Sequence, residues 1–347
     1  MNVYEILKTA LKYDDPEKIK NLISGITKEL RNGNLPGIIS IRTPQSTTEI
    51  GKDYLLTELN QILETRTTER SRYYLNRLLK SFTDVKTSRI NDINLNRWKE
   101  YDDIITESLW IIDRRDSTGA HKADYWGNFI PQIPYQLLIR YTKRNDWVLD
   151  PFLGSGTTLI ECKRLGRNAL GIDLNKTAVA EAMKKIKSEK NPYNVCTHVM
   201  TDDSSTADLK TFKEKLGISE FSFIIFHPPY WDIISFSKSK NDLSNAKSLD
   251  SFLSMFGKVF DNVIPSLGKE RYFAIVIGDK YSRGEWIPLG FYLMQLVMNR
   301  GFKLKSTIVK NFNQTAAKRN QKELWRYRAL AGGFYIFKHE YIFIFQK

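Results

Sequence analysis

Two cysteines in 347 residues leave no disulfide framework to read. Both fall inside predicted elements, so Cys162 and Cys196 are expected as small core residues of a protein in a reducing compartment. Four widely scattered histidines offer no zinc spacing, and no structural metal is expected. The chain has no apolar stretch of about 18 residues, which excludes a helical membrane span, and nothing in it resembles a secretory leader. Internal repeats and low-complexity tracts are absent as well. Acid is the scarcer charge: 39 Asp and Glu stand against 53 Lys and Arg, a net charge of +14. The imbalance is uneven, because residues 1–120 hold 19 basic and 18 acidic residues, whereas residues 303–347 hold ten and two. A basic surface of that kind suits a polyanion, although a solvated face has the same composition.

What is present is organised around Trp147-Val148-Leu149-Asp150-Pro151-Phe152-Leu153-Gly154-Ser155-Gly156-Thr157-Thr158. An apolar run ending in an acid, two glycines one residue apart and a helix-favouring continuation predict a strand, a tight turn and a helix. Gly154 and Gly156 let backbone approach a ligand where a Cβ would clash, and Thr157 or Thr158 is expected to cap the helix. Alone, such a turn is as often a plain strand-to-helix connection. Asp173 adds weight: it ends a second apolar strand, where a dinucleotide-type fold puts the acid that holds ribose hydroxyls. The spacing suits an adenosine-containing cofactor.

The stretch from Asp150 to Thr158, followed by Gly171-Ile172-Asp173-Leu174 and by His227-Pro228-Pro229-Tyr230-Trp231, resembles the S-adenosylmethionine-dependent DNA methyltransferases that modify exocyclic amino groups, adenine N6 or cytosine N4. The resemblance covers roughly residues 121 to 347. It implies S-adenosylmethionine as cofactor, with Asp150, Phe152, Gly154, Gly156, Thr157, Asp173 and Asp203 about it and the segment containing Pro131 lining its methionine end. Asp203 would meet the adenine amino group of the cofactor, with Asp202 as the neighbouring candidate. His227 and a carbonyl of Pro228 or Pro229 would accept hydrogen bonds from the target amino group. Tyr230 would stack on the flipped base, with Trp231 beside it. At the first place of this motif the family usually carries Asp or Asn for adenine and often Ser for cytosine; His227 departs from that. A neutral imidazole still offers one acceptor nitrogen, so transfer is feasible, but adenine against cytosine stays open.

Residues 1–107 read as a mainly helical auxiliary region with target recognition as its expected role, and residues 108–347 as the catalytic region. In the first, an amphipathic pattern over residues 2–31 breaks at Asp14-Asp15-Pro16, where Asp15 can cap a second helix. Loops follow around 32–37 and 43–48, then helices over 52–65 and 68–82. The window Arg66–Lys99 holds nine basic and three acidic residues, which fits either a phosphate contact or a solvated helix face. In the second region strands alternate with helices, and the expected fold class is α/β: a Rossmann-like seven-stranded sheet, mostly parallel, with an antiparallel last strand. Asp150, Asp173, Asp202, Asp203 and His227 all fall at strand carboxyl ends, where such sheets bind ligands. The connection Asn311–Lys338 is long for a hairpin and carries Lys318, Arg319, Lys322, Arg326 and Arg328 against Glu323 alone, the best candidate for contact with the DNA backbone.

These features together lead to the expectation of a site-specific DNA methyltransferase acting on double-stranded DNA, in a restriction-modification or epigenetic system. A cognate restriction endonuclease and a prokaryotic cytoplasmic setting, on the nucleoid, go with that reading. The alternatives are an RNA enzyme such as a tRNA guanine-N2 methyltransferase, and a nucleic-acid-binding protein without catalysis. The oligomeric state and the recognition sequence are not legible.

Overall fold

The computed structural model describes residues 2–33, 36–122, 124–311 and 322–347, Lys322 by its backbone only. It divides into one unit of residues 1–89 with 93–104 and another of residues 90–92 with 105–347.

In the first unit the apolar periodicity becomes two helices, α1 (Val3–Ala10) and α2 (Pro16–Asn32). Asp15 caps α2, its carboxylate accepting from the Glu17 N–H at 2.9 Å with Pro16 in the first turn. A hairpin, β1 (Ile38–Arg42) and β2 (Thr47–Gly51), precedes α3 (Lys52–Leu63) and α4 (Thr68–Thr83). The sequence reading expects loops on either side here, because Gly37, Thr43 and Pro44 punctuate a short stretch. The structure pairs 38–42 with 47–51, and Ile41 and Ile50 bury one face against the helices. Glu58, 3% exposed, is neutralised by Arg77 at 2.5 Å and Lys99 at 2.7 Å, so part of the basic window of this unit serves internal pairing.

The second unit begins with β3 (Leu109–Trp110) and α5 (Gln132–Tyr141) and then alternates: β4 (Trp147–Asp150), α6 (Thr157–Leu165), β5 (Asn168–Asp173), α7 (Lys176–Ser188), β6 (Thr197–Thr201), α8 (Leu209–Leu216), β7 (Phe221–Phe226) and α9 (Leu249–Val263). It continues through β8 (Leu267–Ile277), the small hairpin β9 (Lys280–Ser282) and β10 (Glu285–Ile287), α10 (Leu289–Met298), β11 (Lys303–Asn311), α11 (Lys322–Gly332) and β12 (His339–Gln346). One sheet runs β3-β11-β12-β8-β7-β4-β5-β6, parallel except for β12, which lies antiparallel between β11 and β8. The expected α/β sheet with its antiparallel last strand is there; it has eight strands, because Leu109–Trp110 pairs with β11 and joins as an edge. The run Phe-Ser-Phe-Ile-Ile-Phe of β7 is buried at every position, as a central parallel strand covered on both faces requires. Phe252, Phe256 and Phe260 of α9 cover one face, and Ile133, Leu137, Leu159 and Ile160 of α5 and α6 the other. Strand order reverses between β4 and β7, which opens a crevice at their carboxyl ends.

Three local expectations are corrected. Cys162 is buried on α6, but Cys196 is exposed ahead of β6, where the chain has not yet entered the sheet. Neither Thr157 nor Thr158 caps α6: the cap position is Gly156 at φ +82°, without a side-chain bond, and both threonines turn inward and are buried. The connection after β11 is not all loop, since it contains α11. Among the described residues no helix is long and apolar enough to cross a membrane.

Candidate active site

The crevice at the switch point is a cavity of about 210 Å³ lined from β4, β5, β6 and β7 and from two connecting segments. The turn after β4 forms its first wall. Asp150 is 1% exposed; its carboxylate accepts from the Phe152 N–H at 3.0 Å and shapes the turn from below without lining the cavity. Burial pushes its carboxyl up to about 6, and that hydrogen bond pulls against the shift. Phe152, Leu153, Gly154, Ser155 and Thr157 do line it. Gly154 sits at φ +50°, and a Cβ there would stand 3.3 Å from the Tyr125 ring. Gly156 faces elsewhere: a Cβ would lie 3.0 Å from Ile186 and 3.3 Å from Ala182, so its glycine serves the packing of α6 on α7.

Asp173 ties the turn to β5. One carboxylate oxygen accepts from the Gly154 N–H and the other from the Asn175 N–H, both at 2.9 Å, and the group borders the cavity. Burial raises its pKa, and the two backbone donors hold it down. After β6 only the second of the two aspartates reaches the cavity. Asp202 turns back to the Asp203 N–H at 2.8 Å, whereas Asp203 is lining, with one oxygen on Ser205 and the other accepting from Asn241 Nδ2 at 2.9 Å.

The opposite wall is His227-Pro228-Pro229-Tyr230 at the end of β7. The His227 ring stands edge-on to Phe129 at 4.5 Å and to Tyr230 at 5.7 Å. Burial, helped by the Lys310 ammonium, lowers its pKa to about 3, so the imidazole is neutral and one ring nitrogen is an acceptor. Tyr230 donates its hydroxyl to Glu340 at 2.7 Å. Trp231 is not lining: its indole N–H donates to the Ala246 carbonyl at 2.8 Å and Lys280 covers its ring at 4.0 Å, so it anchors the segment that follows. That segment closes over the cavity through Ile233, Ile234, Phe236 and Asn241–Leu243, with Phe236 stacked on Tyr125 and its carbonyl held by Asn175.

The segment 127–134, expected to line the cofactor, borders the cavity through Gly127, Asn128 and Phe129, with Tyr125 just before it, whereas Pro131 sits buried at the cap position of α5 and does not line it. Pattern reading misses Tyr125, which precedes that segment in a stretch without periodicity, and misses Glu340 because it hides in a final strand otherwise read as apolar. Of the expected nucleic-acid contacts, Lys318 and Arg319 lie outside the described residues, as does the Lys322 side chain. Arg326 and Arg328 are exposed on α11, away from the cavity, with Arg328 at 5.4 Å from the Trp325 ring. Among the described residues one group of metal-capable side chains gathers, Asp116, His121 and Glu161, and Arg164 already stands at 3.2 Å from Asp116 and 3.3 Å from Glu161.

Comparison with known proteins gives the following. Residues 13–184 match a family described as DNA methylase. That span takes in the Asp150–Thr158 turn and Asp173, starts earlier than the resemblance drawn from the motifs, and stops short of His227. The type II methyltransferase M2.DpnII of Streptococcus pneumoniae is 39% identical over 100 residues, 27% of this chain and 34% of its own length. The type II methyltransferase M2.LlaDCHI of Lactococcus lactis subsp. cremoris is 36% identical over 124 residues, 34% of this chain and 38% of its own. A probable tRNA (guanine(10)-N2)-dimethyltransferase of Methanothermococcus thermolithotrophicus is 33% identical over 89 residues, 25% of this chain and 52% of its own. The matched part thus spans between about a third and about half of these relatives' length.

Proposed function

We propose that this chain is a DNA methyltransferase that moves a methyl group from S-adenosylmethionine to the exocyclic amino group of a base flipped out of the duplex. The observation that carries this reading is the joining, in one cavity, of the Gly154 turn, Asp173 and Asp203 with His227, Pro228, Pro229 and Tyr230. The fit to the cofactor rests on the cradle itself: Gly154 brings bare backbone to the cavity edge where a Cβ would press on the Tyr125 ring, Asp173 and Asp203 offer carboxylates at two strand ends, and the walls between are apolar. No pyrophosphate-binding glycine pattern is present, which suits an adenosine cofactor without phosphates.

When bound, S-adenosylmethionine supplies an electrophilic methyl on a sulfonium centre. The protein's task is to prepare the amino nitrogen, whose lone pair is delocalised into the base. His227 accepts one N–H and a proline carbonyl of the turn accepts the other, which holds the lone pair along the line of attack. Tyr230 offers the stacking face for the flipped base. The imidazole has so little affinity for protons that it acts as an acceptor only, and the surplus amino proton leaves to water. The transfer rate is therefore expected to stay flat between about pH 5 and 8, without the break that a histidine of ordinary pKa would produce. A pH-rate profile inflecting near 6.5, the ordinary histidine value, contradicts the neutral acceptor.

Asp173→Ala is expected to weaken cofactor binding by about 1–3 kcal/mol, as a charge-assisted acceptor for the ribose hydroxyls is lost. Calorimetry on the folded variant checks it, and unchanged affinity removes Asp173 from the cofactor site. Exposed Arg326 and Arg328 are assigned to DNA phosphates. Alanine at each is expected to reduce the log-log slope of DNA affinity against salt by roughly one unit per contact; a slope equal to that of the parent protein places the phosphate surface elsewhere.

Tritium transfer from labelled S-adenosylmethionine to unmethylated duplex DNA or to tRNA, followed by nucleoside analysis, tests the whole reading. Label in N6-methyladenine or N4-methylcytosine supports it and names the base. Label in tRNA alone replaces it with the RNA reading that the tRNA-enzyme relative favours, and no label in either removes the activity.

A further inference from the structure

Behind Tyr230 the cavity wall continues into a polar group buried in the sheet. The Tyr230 hydroxyl donates to Glu340 Oε2 at 2.7 Å, and Glu340 Oε1 meets Lys310 Nζ at 3.0 Å. Glu340 and Lys310 are 3% and 4% exposed. They are direct partners in the antiparallel register of β11 and β12, near the end of the sheet where His227 lies. From Tyr341 to Phe345 the rest of β12 is aromatic or aliphatic and buried. A buried ion pair is a poor way to stabilise such a strand, since well-packed apolar residues of similar volume do as well or better. What distinguishes this pair from an ordinary one is its third member. A carboxylate already neutralised by a lysine presents its second oxygen to the hydroxyl of Tyr230, an aromatic side chain that lines the cavity and stands edge-on to the His227 ring.

We infer that Glu340 and Lys310 are positioning residues of the catalytic turn: Glu340 fixes the Tyr230 ring through its hydroxyl, and Lys310 fixes Glu340. The inference rests on the proposed transfer at His227 and Tyr230. With the ring anchored at its far end, the stacking face and the edge against His227 are set before a base arrives, so the effect belongs in the rate of the bound complex and not in substrate affinity. Phenylalanine at position 230 keeps the ring and loses the anchor.

The test is a double-substitution cycle of Tyr230→Phe and Glu340→Gln, read by single-turnover transfer at saturating S-adenosylmethionine and by KM for unmethylated duplex DNA. Lys310→Met with Glu340→Gln serves as a second variant that removes both charges at similar volume, and circular dichroism checks that each variant folds. Each single change is expected to lower kcat by about tenfold with KM within about twofold, and the double change by no more than the worse single one, because both remove the same link. Additive losses, or a lower melting temperature with unchanged kcat, overturn the inference. A readout independent of transfer is the carbon-13 spectrum of tyrosine-labelled protein. The Tyr230 resonance, assigned by its absence in Tyr230→Phe, is expected to shift or broaden in Glu340→Gln, and an unmoved resonance also overturns the inference. If the parent protein transfers no methyl group while that resonance responds, the activity falls and the anchoring of Tyr230 stands.

Discussion

Replacing His227 with alanine is expected to lower the rate of methyl transfer by on the order of 100-fold, with cofactor affinity almost unchanged. The loss follows from what the side chain does. Among the described residues neither ring nitrogen of His227 has a hydrogen-bond partner, and burial keeps the ring unprotonated, so a nitrogen is available to an incoming amino group. Alanine leaves the base amino group with one fewer acceptor, its lone pair returns to conjugation with the ring, and the cost falls on the transition state alone. The turn after β4, proposed to hold the cofactor, is shaped by Asp150 and Asp173 on other strands and is untouched. His227→Asn, which returns a neutral carbonyl acceptor, is expected to recover part of the rate. His227→Asp also returns an acceptor, and the Lys310 ammonium nearby offsets part of the cost of burying its carboxylate, so measurable transfer is expected. Single-turnover transfer with calorimetric titration of the cofactor separates the two effects. A His227→Ala protein working at the parent rate leaves the backbone carbonyls as the sole acceptors.

The contiguous part of the site is the part that could be read from residue order. A strand, a turn and a helix opening are local in sequence, so residues 147–158 announce themselves through an apolar run and two glycines. The same holds for Asp173 and for 227–230, each at the end of a buried strand. Apolar periodicity also located α1 to α4 and β4 to β8 to within a few residues, since those elements bury one face or both. What composition and spacing cannot carry is the direction in which a residue of a turn points. Gly154 and Gly156 look equivalent in the sequence, yet one opens on the cavity and the other on α7, a difference made by the packing of Ile186 and Ala182 some thirty residues later. Trp231, adjacent to Tyr230, turns at φ +54° into a contact with Ala246.

Long-range pairings were illegible for the same reason. The segment from Gly127 is expected at the cavity only through the resemblance, since 125–129 has neither helical nor strand period; that Phe129 meets the His227 ring almost a hundred residues away was not legible. The hairpin β9–β10 is three residues a side, too short for alternation to show. Lys310 and Glu340 each read as ordinary surface charges at strand ends until β12 inserts between β11 and β8 and buries both. The N-terminal hairpin escaped because turn-forming residues outweigh the few branched ones between them.

Gly278→Ala is expected to reduce methyl transfer by roughly tenfold to a hundredfold in a protein that still folds and still binds S-adenosylmethionine. Gly278 is the buried residue just after β8, and the Tyr230 ring packs against it. A Cβ at that position would stand 2.8 Å from Cε2 and 3.1 Å from Cδ2 of the ring, inside the closest approach that carbon atoms tolerate. The backbone of Gly278 cannot retreat easily, because β8 is hydrogen-bonded on both sides, to β7 and to β12. The ring therefore has to give, and its hydroxyl is held by Glu340 on the next strand. Either the bond to Glu340 lengthens or the ring tilts toward His227, and both outcomes displace the stacking face while leaving Gly154 and Asp173 in place. Adding one methyl group outside the cavity lining thus separates binding from transfer. Measured together, calorimetric affinity for the cofactor near the parent value and a slowed single turnover support this geometry, whereas a Gly278→Ala protein with the parent rate shows that Tyr230 has room to move and that its position does not limit the reaction.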